Sequence, residues 1–160
     1  MRKAVLCFLV FWFISSSVCF ARPVSVGYNV GMFASATELS VEGRFPLSHY
    51  SPGITTTALR LALGFAQSGD SSTRYVPVHC DLIYNFPAGY ITGVENYIGV
   101  GLNYAVRASG GAGSLGYEVF YGVESGGFGG RVFGEVGLAT LKGATAQAGT
   151  TLLFGWRREI

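Results

Sequence analysis

From residue 24 to the C-terminus, the chain alternates polar and apolar side chains with a period of two, and Gly130 to Lys142 shows the pattern most clearly. Arg131, Phe133, Glu135 and Gly137 share one parity, and Val132, Val136 and Leu138 share the other. Successive side chains of a strand point to opposite faces, so such a segment has a charged side and an apolar side. Two architectures offer that division. In a soluble sandwich the apolar side packs in a core and the charges face water. In a transmembrane barrel the faces exchange roles, with apolar residues toward lipid and polar residues in the lumen.

The pattern predicts eight strands, near 24–34, 36–45, 55–67, 73–86, 94–107, 115–124, 130–142 and 144–157, separated by Gly, Ser, Pro and Asp clusters that read as turns. An even count suits closure. The polar parity holds Glu38, Glu42, Arg44, Arg60, His79, Asp81, Glu95, Arg107, Glu118, Glu124, Arg131, Glu135 and Arg157, interleaved with glycines. On a face open to water those glycines would weaken strands and pack nothing. Inside a narrow barrel they make room for long Arg and Glu side chains, whose opposite charges can pair as buried charges must. The apolar parity carries aromatics near strand ends: Tyr28, Tyr84, Phe86, Tyr104, Tyr117, Phe154 and Trp156. Girdles at two membrane interfaces have that distribution. Pro77 falls inside the fourth segment, where it marks an edge or a bulge.

The first residues change the compartment. Arg2 and Lys3 precede eleven apolar residues from Ala4 to Ile14, followed by Ser15-Ser16-Ser17 and Cys19-Phe20-Ala21. This is the layout of a secretory signal cleaved after Ala21, and the apolar run is too short for the ~20 residues of a membrane-spanning helix. A lipoprotein signal through Cys19 is the alternative, with bulky Val18 against it. The expected division is therefore a signal peptide over 1–21 and a barrel over 22–160. Loss of Arg2 and Lys3 leaves 9 of the 11 basic residues, against 9 acidic ones, so no basic excess points to nucleic acid. Cys7 and Cys19 leave with the signal, and Cys80 alone cannot form an intramolecular disulfide. Glycine, 24 of 160 residues, is about double the ordinary ~7%. A mean hydropathy of +0.39 with no long apolar run fits a lipid-facing barrel better than helices.

Two stretches resemble the small OmpA/OmpX-type outer-membrane β-barrel superfamily: Tyr75-Val76-Pro77-Val78 through Tyr84-Asn85-Phe86, and Tyr97-Ile98-Gly99-Val100-Gly101-Leu102-Asn103-Tyr104. Both look like paired central strands of such barrels, and the resemblance covers essentially all of 22–160. It implies an all-β, eight-stranded, antiparallel up-and-down transmembrane barrel in the cell outer membrane. Implied with it are outer-membrane lipid and lipopolysaccharide as surroundings, insertion by the barrel-assembly machinery, and a monomer. Both termini would be periplasmic, leaving short extracellular connections around Ser35, Gly69, Gly111 and Gly143. Leu152, Phe154 and Trp156 resemble the family's C-terminal assembly signal, but Arg157-Arg158-Glu159-Ile160 follows them.

The expected function is a non-enzymatic structural or envelope-maintenance barrel whose lumen is filled by the polar network. Two alternatives stand beside it, a surface adhesion or recognition barrel, disfavoured by short loops, and a lipid A-modifying enzyme. His49 and Ser51 have the His-x-Ser spacing of lipid A deacylases, with Ser51 as nucleophile and His49 as base, but Pro52-Gly53 places them in a turn. His79, Asp81 and Arg60 offer a proton-transfer cluster or a filling network. Gly99-x-Gly101 and the run Gly126-Gly127-Phe128-Gly129-Gly130 open no helix, so neither reads as a phosphate loop. The sequence points to no cofactor and no metal.

Overall fold

In the computed structural model, residues 24–47, 56–69, 73–86, 93–107, 113–142 and 146–160 are described. They form β1 (Ser25–Phe33), β2 (Ala36–Pro46), β3 (Thr56–Ser68), β4 (Arg74–Phe86), β5 (Val94–Arg107), β6 (Ser114–Gly127), β7 (Gly130–Lys142) and β8 (Ala146–Glu159). Each pairs antiparallel with its sequence neighbours, and β1 pairs with β8, closing the barrel in up-and-down order. The alternation therefore belongs to one closed sheet and not to a sandwich.

Closure is staggered. Starting at Ser25, cross-strand partners run through Arg44, Arg60, Asp81, Gly101, Glu118, Ala139 and Gly149. Gly149 lies against Ser35, so one circuit climbs the whole of β1. Such a stagger accompanies strands tilted by roughly 35–45° to the barrel axis. Four of those ring positions are charged, and all four side chains are buried. The expected faces hold: Asp81, Glu135, Arg60 and Arg157 are at most 2% exposed, while Leu138, Val41 and Tyr117 are 58–64% exposed.

Three details differ from the sequence expectation. Pro77 is neither at an edge nor at a bulge. β4 keeps one register with β3 on both sides of it, and only the Gly64 and Phe65 pairings opposite Pro77 and Val76 are missing from the ladder. The missing N–H interrupts the ladder without inserting a residue. The glycine run after Ser125 is mostly strand: Gly126 pairs with Arg131 and Gly127 with Gly130, leaving Phe128-Gly129 as the turn. The final residues also belong to the sheet. Arg157, Arg158 and Glu159 pair with Gly27, Val26 and Ser25, and Ile160 N donates to Val24 O at 2.9 Å.

Candidate functional site

The candidate site is the lumen, whose charged side chains occupy three levels set by strand register. At the end holding the termini, Glu124 of β6 accepts Arg131 Nη1 at 2.7 Å and Arg44 Nη1 at 3.2 Å, with Arg157 Nη2 at 3.4 Å. Arg131 also meets Glu95 at 2.8 Å, and Arg44 donates to Asn85 Oδ1. Midway, Arg60 of β3 joins Asp81 at 2.7 Å, Glu135 at 2.7 Å and Glu42 at 3.6 Å. Glu135 also accepts the Tyr97 hydroxyl at 2.7 Å. Toward the opposite end, His79 of β4 lies between Glu118 of β6 and Glu38 of β2. Beyond it, Phe33, Ala34, Ala105 and Ala139 form an apolar layer with Tyr75 packed against them.

Three aromatic side chains of the polar parity each face a glycine on the neighbouring strand. Tyr97 pairs directly with Gly122, Phe120 with Gly99, and Phe133 with Gly155. In each pair a Cβ on the glycine would fall 2.0–2.3 Å from a ring carbon. Each ring also meets a guanidinium: Arg60 lies 4.3 Å from the Phe120 centroid, Arg157 4.0 Å from that of Phe133, and Arg44 5.0 Å from that of Tyr97. Glycine, ring and guanidinium are thus stacked three times, with the cation on the electron-rich ring face. At these three positions the space left by glycine is taken by a ring, and not by Arg or Glu directly as the sequence led us to expect. At Gly101 and Gly64 the space is taken by acids, Asp81 Oδ1 and Glu38 Oε1, while at Gly31, Gly116 and Gly137 the nearest atoms are carbonyl oxygens of a neighbouring strand.

The structure brings together Glu38, Glu42, Arg44, Arg60, His79, Asp81, Glu118, Glu135 and Arg157 as buried lumen residues. Arg131 joins them at the mouth, its side chain 37% exposed. Arg107 lies in β5 opposite Tyr75, but its side chain is outside the described residues. His49 and Ser51 are also outside them, as is the segment 1–21. His79 and Asp81 do not form a cluster with Arg60 alone: Asp81 pairs with Arg60, whereas His79 turns to two glutamates. Ile83, Leu153, Asn103 and Thr151 are buried lumen residues that charge-led reading passes over. Only their parity marks them. Asn29 links the first two strands, accepting Ser40 Oγ at 2.6 Å and donating to Glu42 at 3.4 Å.

Among the described residues, no group of three or more His, Cys, Asp or Glu side chains is arranged to hold a metal ion. The fold and lumen define an eight-stranded closed up-and-down barrel with a salt-bridged interior. No protein-family model matches the chain, and no match is found among curated proteins or solved structures.

Proposed function

We propose that the chain is a small integral barrel of the bacterial outer membrane with a structural or envelope-maintenance role, delivered by cleavage of 1–21. One observation carries this reading: the two faces of the sheet are reversed relative to a water-soluble protein. Charges are buried inside, and the outer surface presents Val30, Leu39, Val41, Leu63, Leu102 and Leu138, each more than half exposed. A contiguous apolar surface of this extent fits contact with hydrocarbon.

Element lengths support it. Strands of 9 to 14 residues meet the ~9–11 residues that a tilted strand needs to cross a bilayer. Aromatics gather toward both ends of the outer face. Tyr28 is paired with Trp156, ring centroids 5.8 Å apart, and Tyr84 lies nearby in level, while Phe65, Tyr104 and Tyr117 lie toward the other end. Arg158 continues the outward parity just beyond Trp156, at the depth of lipid headgroups. The likeness to the OmpA/OmpX-type barrels supports this placement, and the proposed state is a monomer surrounded by lipid and lipopolysaccharide.

The test is extraction and gel migration. The protein is expected in the membrane fraction, released by detergent and not by salt, with an unheated band displaced from the boiled one. Release from periplasm or cytosol without detergent, with no such displacement, would defeat the proposal.

A further inference from the structure

We infer that Glu38, His79 and Glu118 form a buried proton-binding clasp, in which a doubly protonated imidazole ties β4 to β2 and β6 across the lumen. His79 Nδ1 lies 2.7 Å from Glu118 Oε1, and Nε2 lies 3.2 Å from Glu38 Oε1. All three side chains are at most 4% exposed. A neutral imidazole has one N–H and one lone pair. Whichever nitrogen kept the proton, the other would point its lone pair at a carboxylate oxygen. Two facing acceptors repel, so each contact needs its own proton, and imidazole, a stronger base than a carboxylate, is the group that holds it.

Among the described residues, no other cation is in contact with Glu38. The His79 Nε2–Glu38 Oε1 approach is an ion-pair contact and not an aligned hydrogen bond, and neither Glu38 oxygen has a hydrogen-bond partner among the described residues, although the residue is 1% exposed. Arg60 of β3 lies on the level below and is taken by Asp81, Glu135 and Glu42. The other groups about the ring at its level are neutral: Phe33 of β1, edge-on with centroids 4.7 Å apart, Asn103 of β5, paired with His79, and Ala62 of β3. Asp81, two residues along β4, and Glu42, two turns of the pleat along β2, are both bound to Arg60. The ring proton is thus the counter-charge for two carboxylates in a dry compartment, where an unpaired ion is costly. It also connects alternate strands, β2, β4 and β6, that share no backbone hydrogen bonds. The inference stands on these contacts alone and holds for the closed barrel whatever surrounds it.

Nitrogen-15 NMR of the histidine ring tests it, using full-length protein folded in detergent micelles and carrying His49→Asn so that His79 alone reports. Strand circular dichroism and the heat-dependent band first verify that the barrel is closed. At pH 7.5 both ring nitrogens are expected to show one-bond coupling to a proton, with exchange slow relative to a free histidine. In Glu38→Gln/Glu118→Gln, also folded, the same ring is expected to show one protonated nitrogen. A folded wild-type barrel with a single protonated ring nitrogen would overturn the clasp, as would an imidazolium unaffected by the double substitution. Should the double variant not fold, Glu38→Gln alone is read in the same way, by faster exchange of the Nε2 proton; unchanged exchange there would count against the clasp.

Discussion

At the scale of single residues, burial separates charges that look alike in the sequence. Glu135 and Arg131 lie on one parity of β7, four residues apart, yet Glu135 is 2% exposed and Arg131 stands at the mouth. Glu135→Leu leaves Arg60 and the Tyr97 hydroxyl without their shared acceptor, and is expected to cost about 3–5 kcal/mol. Arg131→Leu leaves Glu124 still held by Arg44 and Arg157, so about 1 kcal/mol or less is expected. Urea unfolding from lipid vesicles measures both, and equal costs would contradict the three-level lumen. The parity of these residues is legible in the sequence, but their depth is not. Depth follows from register around the closed sheet, which no single segment contains. The same holds for the stacked glycines: Gly155 faces Phe133 only because β7 and β8 pair as they do. Gly155→Val places a Cβ 2.3 Å from the Phe133 ring and 2.5 Å from Tyr28 O, and is expected to cost about 1–3 kcal/mol or more by overpacking.

At the scale of elements, all eight strands were visible in the alternation, and the errors lie at their ends. β6 runs to Gly127, beyond the expected end near 124, because glycines that read as a turn still pair. β8 runs to Glu159, because Arg157 turns into the lumen and continues the alternation. Two hairpins close with two-residue turns whose central residues all have positive φ: Ala34 and Ser35 at 47° and 71°, Phe128 and Gly129 at 53° and 71°. These are type I′ turns, which favour Asn-Gly. Ala34 is buried in the apolar layer, and that packing offsets the cost of its backbone conformation. Phe128 is 93% exposed and carries no such compensation. Phe128→Asn is therefore expected to stabilise the barrel by about 1 kcal/mol, read from the midpoint of thermal unfolding in micelles. A loss of stability would show that the ring has a contact in the native setting.

At the scale of the whole molecule, the proposed lipid setting would make surface substitutions behave unlike those of a soluble protein. Leu138 is 64% exposed, and Leu138→Arg at such a site in water would change little. Against hydrocarbon it is expected to cost about 2–4 kcal/mol, seen as reduced folding into vesicles. Backbone pairing joins only adjacent strands, whereas the luminal contacts span the bore. Arg60 of β3 reaches Glu135 of β7, separated by 75 residues, and Arg44 of β2 reaches Glu124 of β6, separated by 80. A partly assembled sheet has none of these contacts, since its far wall is not yet in place. The ions then stay hydrated until the facing strands are brought together, which closure of β8 on β1 completes. Assembly accordingly ends in a single late, cooperative step, and weakening a transverse pair such as Arg60–Glu135 should slow that last step while leaving the earlier gain of strand structure unchanged.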